Sequence, residues 1–507
     1  MEKSQRGAGF ILSYVSILVS SLVGILFTPY MISNLGQIEY GLYQLLYSTV
    51  GYIALLDFGL GGTLTRFILK YRSEGNIEKE HAATTICVKI YCAFGLIAMI
   101  AVAIVSLNLD VIYKETITAE SLAYAQKIFM IMGFTTSLSL ISHAMTGIQT
   151  ANEKYIVSKV VYILRQLLRV VIIMVMFCFQ ASAMAIVVAD LIVTVVLLSF
   201  DVLYCKFALK ARLLFGKWDN KLFKALFSFS FFVFLQILVT QTNMGLDKMI
   251  LGRYADLTFV ALYGVAMQLH SLFSSMGNVI CSITLPQLSN LVFFNASVEE
   301  TTDCCARYSR YQLHILAPLI GGFVVLGQHF LGLWAPQYDS FSVYVVVLLI
   351  VVPQILESVE GTIFNVMKAK NLQATRSLLL CGVMVLHIVL SVSLVKVSPR
   401  FGPALGTSIS FIIGNNILSN IYYHKKVGIN IFRYFRKLFA GILPALLLSI
   451  LIGFFINMIP LAGWLGFIVK AALYLIEYAA FTLWIGLNKA EKNLVKKFIK
   501  RRFDHVG

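Results

Sequence analysis

Charge is scarce in this chain of 507 residues: Asp, Glu, Lys and Arg make up 13% of it, where soluble domains carry roughly 25%. With 59% hydrophobic residues and a mean hydropathy of +0.83, a string of soluble domains is excluded. Long polar loops are missing as well. The longest external segment, around 107–121, is too short to build an active site of its own. Strict alternation over ~10 residues, the mark of a transmembrane barrel, is absent. The eight cysteines contain no C-x-x-C pair, so neither a zinc framework nor a disulfide framework is implied. Proline is nearly lacking from the first half, where only Pro29 precedes Pro286. The remaining prolines make the second half the better place for bends.

What is present is a succession of apolar runs near the ~20 residues that cross a bilayer as a helix. About fourteen spans are expected, starting near Phe10, Tyr40, Ala83, Leu122, Ile156, Ala181, Leu222, Leu257, Ala306, Val343, Thr375, Pro403, Leu438 and Leu461. The first apolar run, from about Phe10 to Ile32, exceeds a signal-peptide core and reads as a retained helix. Most of the 41 Lys and Arg then fall on one side, which places both termini in the cytoplasm and makes a nucleic-acid partner unnecessary to explain the net charge of +17. The segment "FRYFRKLF" and the basic tail suit anionic lipid headgroups or plain solvation.

An internal echo organises these spans. "ISNLGQIEYGLYQL" (Ile32 to Leu45) matches "LGRYADLTFVALYGV" (Leu251 to Val265), with Tyr43 opposite Tyr263. The duplication predicts an all-α polytopic membrane protein with two six-helix lobes related by a pseudo-twofold axis, plus a C-terminal helix pair. The expected division is 1–205, a cytoplasmic linker at 206–224, 225–427, and 428–507. In the linker, Lys206, Lys210, Lys217, Lys221 and Lys224 share a face if it is helical.

Polar residues inside apolar runs are costly and mark functional candidates. The stretch "LLDFGLGGTLTRFILKY" (Leu55 to Tyr71) holds Asp57, Gly59, Gly61, Gly62 and Arg66. Its Asp-Phe-Gly triplet has none of the accompanying kinase motifs. Asp57 and Arg66 lie half a turn out of phase and cannot simply pair. Gly59, Gly61 and Gly62, with Pro286, are the expected hinge positions. Arg165 and Arg169 share a helical face and repel each other, which calls for water or an anion. Gln236, Thr240, Asn243 and Asp247 form one polar stripe, and His270, Ser274 and Asn278 another; they read as walls of a wet cavity or as interhelical hydrogen bonds. Glu357 and Glu360 are the acids of the tenth span, while Lys470 and Glu477 suit a structural ion pair. No metal-ligand, cofactor or catalytic pattern emerges.

The segments "YGLYQLLYSTVGYIALLDFGLGGTLTRFI", "LDKMILGRYADLTFVALYGVA" and "LPQLSNL" resemble signatures of the polysaccharide flippases, within the multidrug, oligosaccharidyl-lipid and polysaccharide exporter superfamily. That resemblance implies a V-shaped transporter, not an enzyme. It would move an undecaprenyl-pyrophosphate-linked oligosaccharide across the bacterial plasma membrane by alternating access, for cell-surface polysaccharide assembly. Arg165, Arg169 and Arg66 would meet the anionic headgroup; a polysaccharide polymerase or ligase would be a partner. The alternatives are a multidrug exporter of the same fold and a membrane glycan polymerase or ligase.

Overall fold

The computed structural model describes residues 2–211, 213, 219–370 and 372–493, without the side chains of 2–11, 229, 232, 236, 278–283 and 373–374. Among the described residues every regular element is helical and none is a strand, as continuous apolar runs require when each backbone group must be satisfied within lipid. Among the described residues eleven helices are long and apolar enough to cross a membrane, or twelve if one pair bent by 43° is counted. The expectation of fourteen exceeds that count for two reasons. The first two spans run on through a turn at Gly36 (φ 71°) as one element, and the stretch after Pro403 is interrupted by π-helical segments bearing Asn415, Asn416 and Asn420.

Contacts divide the chain into two compact units: 1–268 with 388–403, and 269–387 with 404–507. The first unit comprises α1 (Glu2–Ile53), α2 (Leu60–Ser73), α3 (Ile77–Leu107), α4 (Ala119–Ala151), α5 (Tyr155–Phe177), α6 (Ala183–Leu203), α7 (Asn220–Tyr254) and the start of α8 (Leu257–Phe293). It therefore runs past the predicted linker, whose residues 212 and 214–218 lie outside the described residues. Caps fix the helix starts. Asn76, Ser182 and Asp219 each accept a backbone N–H from the first turn that follows, which ends the loops where the polar residues stand. The core packs Leu60, Leu64 and Ile68 of α2 against Ala83, Ile86 and Cys87 of α3 and Leu140, Ala144 and Ile148 of α4.

The second unit holds the rest of α8, then α9 (Val298–Trp334), α10 (Ser340–Val359), α11 (Gly361–Ala369), most of α12 (Gln373–Val395) and of α13 (Gly402–Phe411), α14 (Ile431–Phe439), α15 (Ile442–Asn457) and α16 (Gly463–Phe481). Its core gathers Leu313 and Leu316, Val359, Ile363 and Val366, Tyr423, Tyr434 and Leu438. A buried cation ties the C-terminal helices to it. Arg310 of α9 donates to both carboxylate oxygens of Glu491 (2.7 and 2.8 Å) and to the carbonyls of Leu438, Ala440 and Gly486, so the carbonyls freed where α14 bends into α15 find a donor. The Lys470–Glu477 pair does not form: seven residues along a helix separate the two heads, and Lys470 reaches the Asn457 carbonyl at 3.1 Å instead. Pro286 lies inside α8 without interrupting it.

Candidate functional site

The stretch from Leu55 to Tyr71 is where the second span breaks. The chain tightens into a 3-10 turn over Ala54–Asp57, and Phe58 and Gly59 then both adopt left-handed φ values of 49° and 64° before α2 begins. Glycine meets that conformation without penalty, whereas Phe58 needs support. Its ring stacks on Phe234 at 4.4 Å and packs against Phe94 and Phe227. Asp57 closes the break from inside. Its carboxylate accepts from the Tyr91 hydroxyl (2.7 Å), meets His143 Nδ1 at 2.9 Å and takes the Gly59 backbone N–H. The half-exposed His143 imidazole leaves this group open to one side.

The glycines divide into separate roles. A Cβ on Gly61 would meet the His143 carbonyl oxygen at 2.9 Å, and one on Gly147 would meet the Gly61 carbonyl oxygen at 2.7 Å. The Gly61–Gly147 contact thus lets α2 and α4 approach backbone to backbone, with Thr65 Oγ1 donating to the Gly147 carbonyl at 3.0 Å. Gly62 faces open space. Arg66, two turns into α2, is exposed.

The two arginines of α5 differ sharply. Arg169 is held in an ion pair with Asp190 of α6 (Nε–Oδ1 2.6 Å), and its Nη2 donates to the Tyr43 hydroxyl at 3.0 Å. Arg165 reaches Thr194 Oγ1 at 3.4 Å and has no carboxylate within ion-pair distance among the described residues. Asp201, the next acid along α6, is occupied by the Gln149 amide at 2.7 Å. The expected shared anion between the two cations therefore has a competitor at Arg169. Asp190 was legible in principle: α5 and α6 form a hairpin through the short turn at 178–182, so residues equidistant from that turn face each other. Arg169 with Asp190 and Arg165 with Thr194 satisfy that rule.

The two predicted polar stripes fall in different units. In the first, Asp247 accepts from Ser391 Oγ at 3.1 Å, Asn243 is half-buried and Thr240 exposed; the side chain of Gln236 lies outside the described residues. Beside Asp247, the buried Lys248 donates to Gln44 Oε1 at 3.1 Å, a cation that sequence reasoning passed over. In the second unit, His270 is buried against Gln354 and Ser274 is half-buried; the Asn278 side chain lies outside the described residues. Among the described residues no group of three or more His, Cys, Asp or Glu is arranged to hold a metal ion. The arrangement can bind and orient charged or hydroxylated groups within the membrane.

A family model described as polysaccharide biosynthesis protein matches residues 7–292. The chain is 21% identical to the uncharacterized membrane protein EpsK of Bacillus subtilis strain 168, covering 97% of each. To the probable flippase AglR of Haloferax volcanii it is 26% identical, covering 38% of this chain and 40% of that one. Its fold is similar to that of the lipid II flippase MurJ in an inward closed conformation, with TM-score 0.72, 14% identity, and 94% and 98% of the two chains covered. An inward-facing multidrug resistance MATE family transporter of the MOP superfamily is similar at TM-score 0.63 and 12% identity, covering 79% and 92%.

Proposed function

The chain belongs to the polysaccharide biosynthesis protein family of membrane flippases, and on that premise we propose that it moves an undecaprenyl-pyrophosphate-linked oligosaccharide from the inner to the outer leaflet of a bacterial plasma membrane. The observation that carries the reading is Arg165. A guanidinium on an apolar helix with no carboxylate in ion-pair distance among the described residues is expensive unless it meets water or an anion, and its planar fork suits a phosphate oxygen pair. Arg66, exposed on α2, is the contact nearer the cytoplasm, and Arg169 keeps its neighbour's helix in register through Asp190. The hydroxyl, amide and imidazole groups around Asp57 and Asp247 line the way for the glycan, while the prenyl chain stays in lipid. Both termini are cytoplasmic, the two lobes alternate access about the duplicated halves, and α14, with Arg436 beside Phe432 and Arg433 tied to Asp303, rests on anionic headgroups. A polymerase or ligase receives the delivered unit outside.

The MATE likeness extends to fold alone, and a multidrug exporter would take cations rather than anions. A deletion strain separates the two. The flippase reading expects lipid-linked oligosaccharide, identified by mass, to accumulate inside the cell and surface glycan to fall. Unchanged lipid-linked sugars with a lost efflux of cationic dyes would replace it with the exporter reading.

A further inference from the structure

The second unit contains a buried polar cluster to which the transport reading gives no task. α10 ends at Val359 and α11 begins at Gly361, so Glu360 stands at the junction, 3% exposed. Glu357 precedes it by one turn. Arg376 of α12 lies between the two acids' surroundings and ion-pairs with Glu357 at 3.2 Å. The other titratable groups turned toward Glu360 are the hydroxyls of Tyr423, after α13, and of Tyr434 on α14, the latter held by Ser309 and the Val359 carbonyl. Two carboxylates thus share one guanidinium. With both ionised the cluster is one positive charge short, and a surplus charge buried at this depth is costly.

A second observation points to what fills the deficit. Asn420 is 6% exposed and donates its amide nitrogen to Glu360 Oε1 at 2.8 Å and to the Asn416 carbonyl at 2.9 Å, while its own Oδ1 is buried with no hydrogen-bond partner among the described residues. A carboxamide turned by half a rotation exchanges these roles: its N–H serves a carboxylate, and its carbonyl accepts from a carboxylic acid O–H. The amide facing Glu360 can therefore serve the group in either protonation state, giving up its bond to the Asn416 carbonyl when it turns. A metal ion in the same place would be repelled by the Arg376 guanidinium. Both backbones that meet here are irregular, α10–α11 at its junction and residues 412–418 as a π-helix whose Asn416 donates to the Pro353 carbonyl, the kind of element often found at functional sites.

We propose that Glu360 is a proton-binding site and that the proton it takes up and releases is the ion coupled to transport. Protonation makes the cluster neutral; release restores a single negative charge beside Arg376. The one-third-exposed Glu357 gives the proton its route to the surface. The site stands on its own geometry, and only its coupling rests on the transporter reading above.

Infrared difference spectra of the purified full-length protein in liposomes, recorded over a pH cycle, test the site without any substrate. The wild type should show the C=O stretch of a protonated carboxyl, and Glu360→Gln should abolish it. A band that persists undiminished in E360Q, or that sodium removes at constant pH, overturns the assignment. Should E360Q not accumulate, Asn420→Leu, which removes the facing amide, should shift the band, and an unshifted band counts against the site. In the same liposomes with an enclosed pH dye and undecaprenyl-linked oligosaccharide, glycan-driven proton flux should fall at least tenfold in E360Q. Glycan movement without proton flux in the wild type refutes the coupling. No glycan movement at all defeats the substrate reading, while the infrared result still decides the site.

Discussion

Each compact unit carries, among other charged groups, a cluster on its apolar helices that is unbalanced in charge, and these two clusters are unbalanced in opposite directions. On α5 and α6 of the first unit, Asp190 pairs with Arg169, while Arg165 bonds Thr194 and has no carboxylate within ion-pair distance among the described residues. On α10 to α12 of the second, Arg376 pairs with Glu357 and leaves Glu360 facing an asparagine amide. In both, the matched pair is architecture: it ties neighbouring helices together through an ion pair. The unmatched member, positive in one unit and negative in the other, is where an ion of opposite sign lowers the energy most. That difference is what the two proposals rest on: an anionic headgroup at Arg165 and a proton at Glu360.

Removing one member of a matched pair should have the largest effect. Arg169→Ala or Asp190→Ala leaves an uncompensated, partly buried charge and should cost less than the ~3–5 kcal/mol of a fully buried pair, read as lost thermal stability of the solubilised protein. The double substitution by leucine should recover most of that. If R169A and D190A are each as stable as wild type, the pair is not what holds α5 to α6, and the contrast with Arg165 disappears. A smaller loss is expected where Asp57 closes the helix break. Asp57→Ala strands the Tyr91 hydroxyl and the Gly59 N–H and should cost about 1–3 kcal/mol, whereas Asp57→Asn, which still accepts both, should cost less.

Glu491 sharpens the comparison through pH. Burial pushes its carboxyl upward, but the hydrogen bonds from Arg310 outweigh that and hold it well below the usual carboxylate range. A depressed carboxylate stabilises the fold above its unfolded value of ~4.3 and loses that contribution as pH falls toward the folded value. Glu491→Gln should therefore lower the melting temperature at neutral pH, and its gap to wild type should narrow in acid. A gap independent of pH would mean that the contact acts through packing alone. The smallest effects concern the glycines. Gly59→Ala meets a left-handed φ and the Val233 methyl, and should cost about 1 kcal/mol or more. Gly62→Ala meets nothing and should stay within about 0.5 kcal/mol of wild type.

The helical, membrane-spanning class was legible because apolar run length is nearly a direct readout of the bilayer. The break at Asp57 to Gly62 was legible as an anomaly, since an acid and three glycines have no reason to stand in a uniform span. Its mechanics were not: Tyr91 and His143 come from α3 and α4, and no local pattern tells which helix will face which. The same limit explains Arg169. Its clash with Arg165 is visible at helical spacing, but Asp190 appears as a partner only once α5 and α6 are folded as a hairpin. The span expected after Pro403 is present as helix but broken into short α and π pieces, with Asn420 turned to Glu360, and hydrophobic run length says nothing about such breaks. Two predicted stripes sharing one spacing fell into separate units, since periodicity gives the face of a helix and not its neighbour.

The central claim, that an unpaired guanidinium at membrane depth meets the anionic head of a lipid-linked glycan, is tested most directly by reconstitution. Wild type, Arg165→Gln, Arg165→Lys and Arg169→Lys would be placed in liposomes loaded with undecaprenyl-pyrophosphate-linked oligosaccharide, and transfer read by the glycan's accessibility to an external lectin. Wild type should transfer the glycan. R165Q, folded and present at equal amount, should be slowed at least tenfold, about 1.4 kcal/mol, with R165K between the two because lysine keeps the charge and loses the planar fork. Full transfer by R165Q at wild-type protein levels would contradict the account.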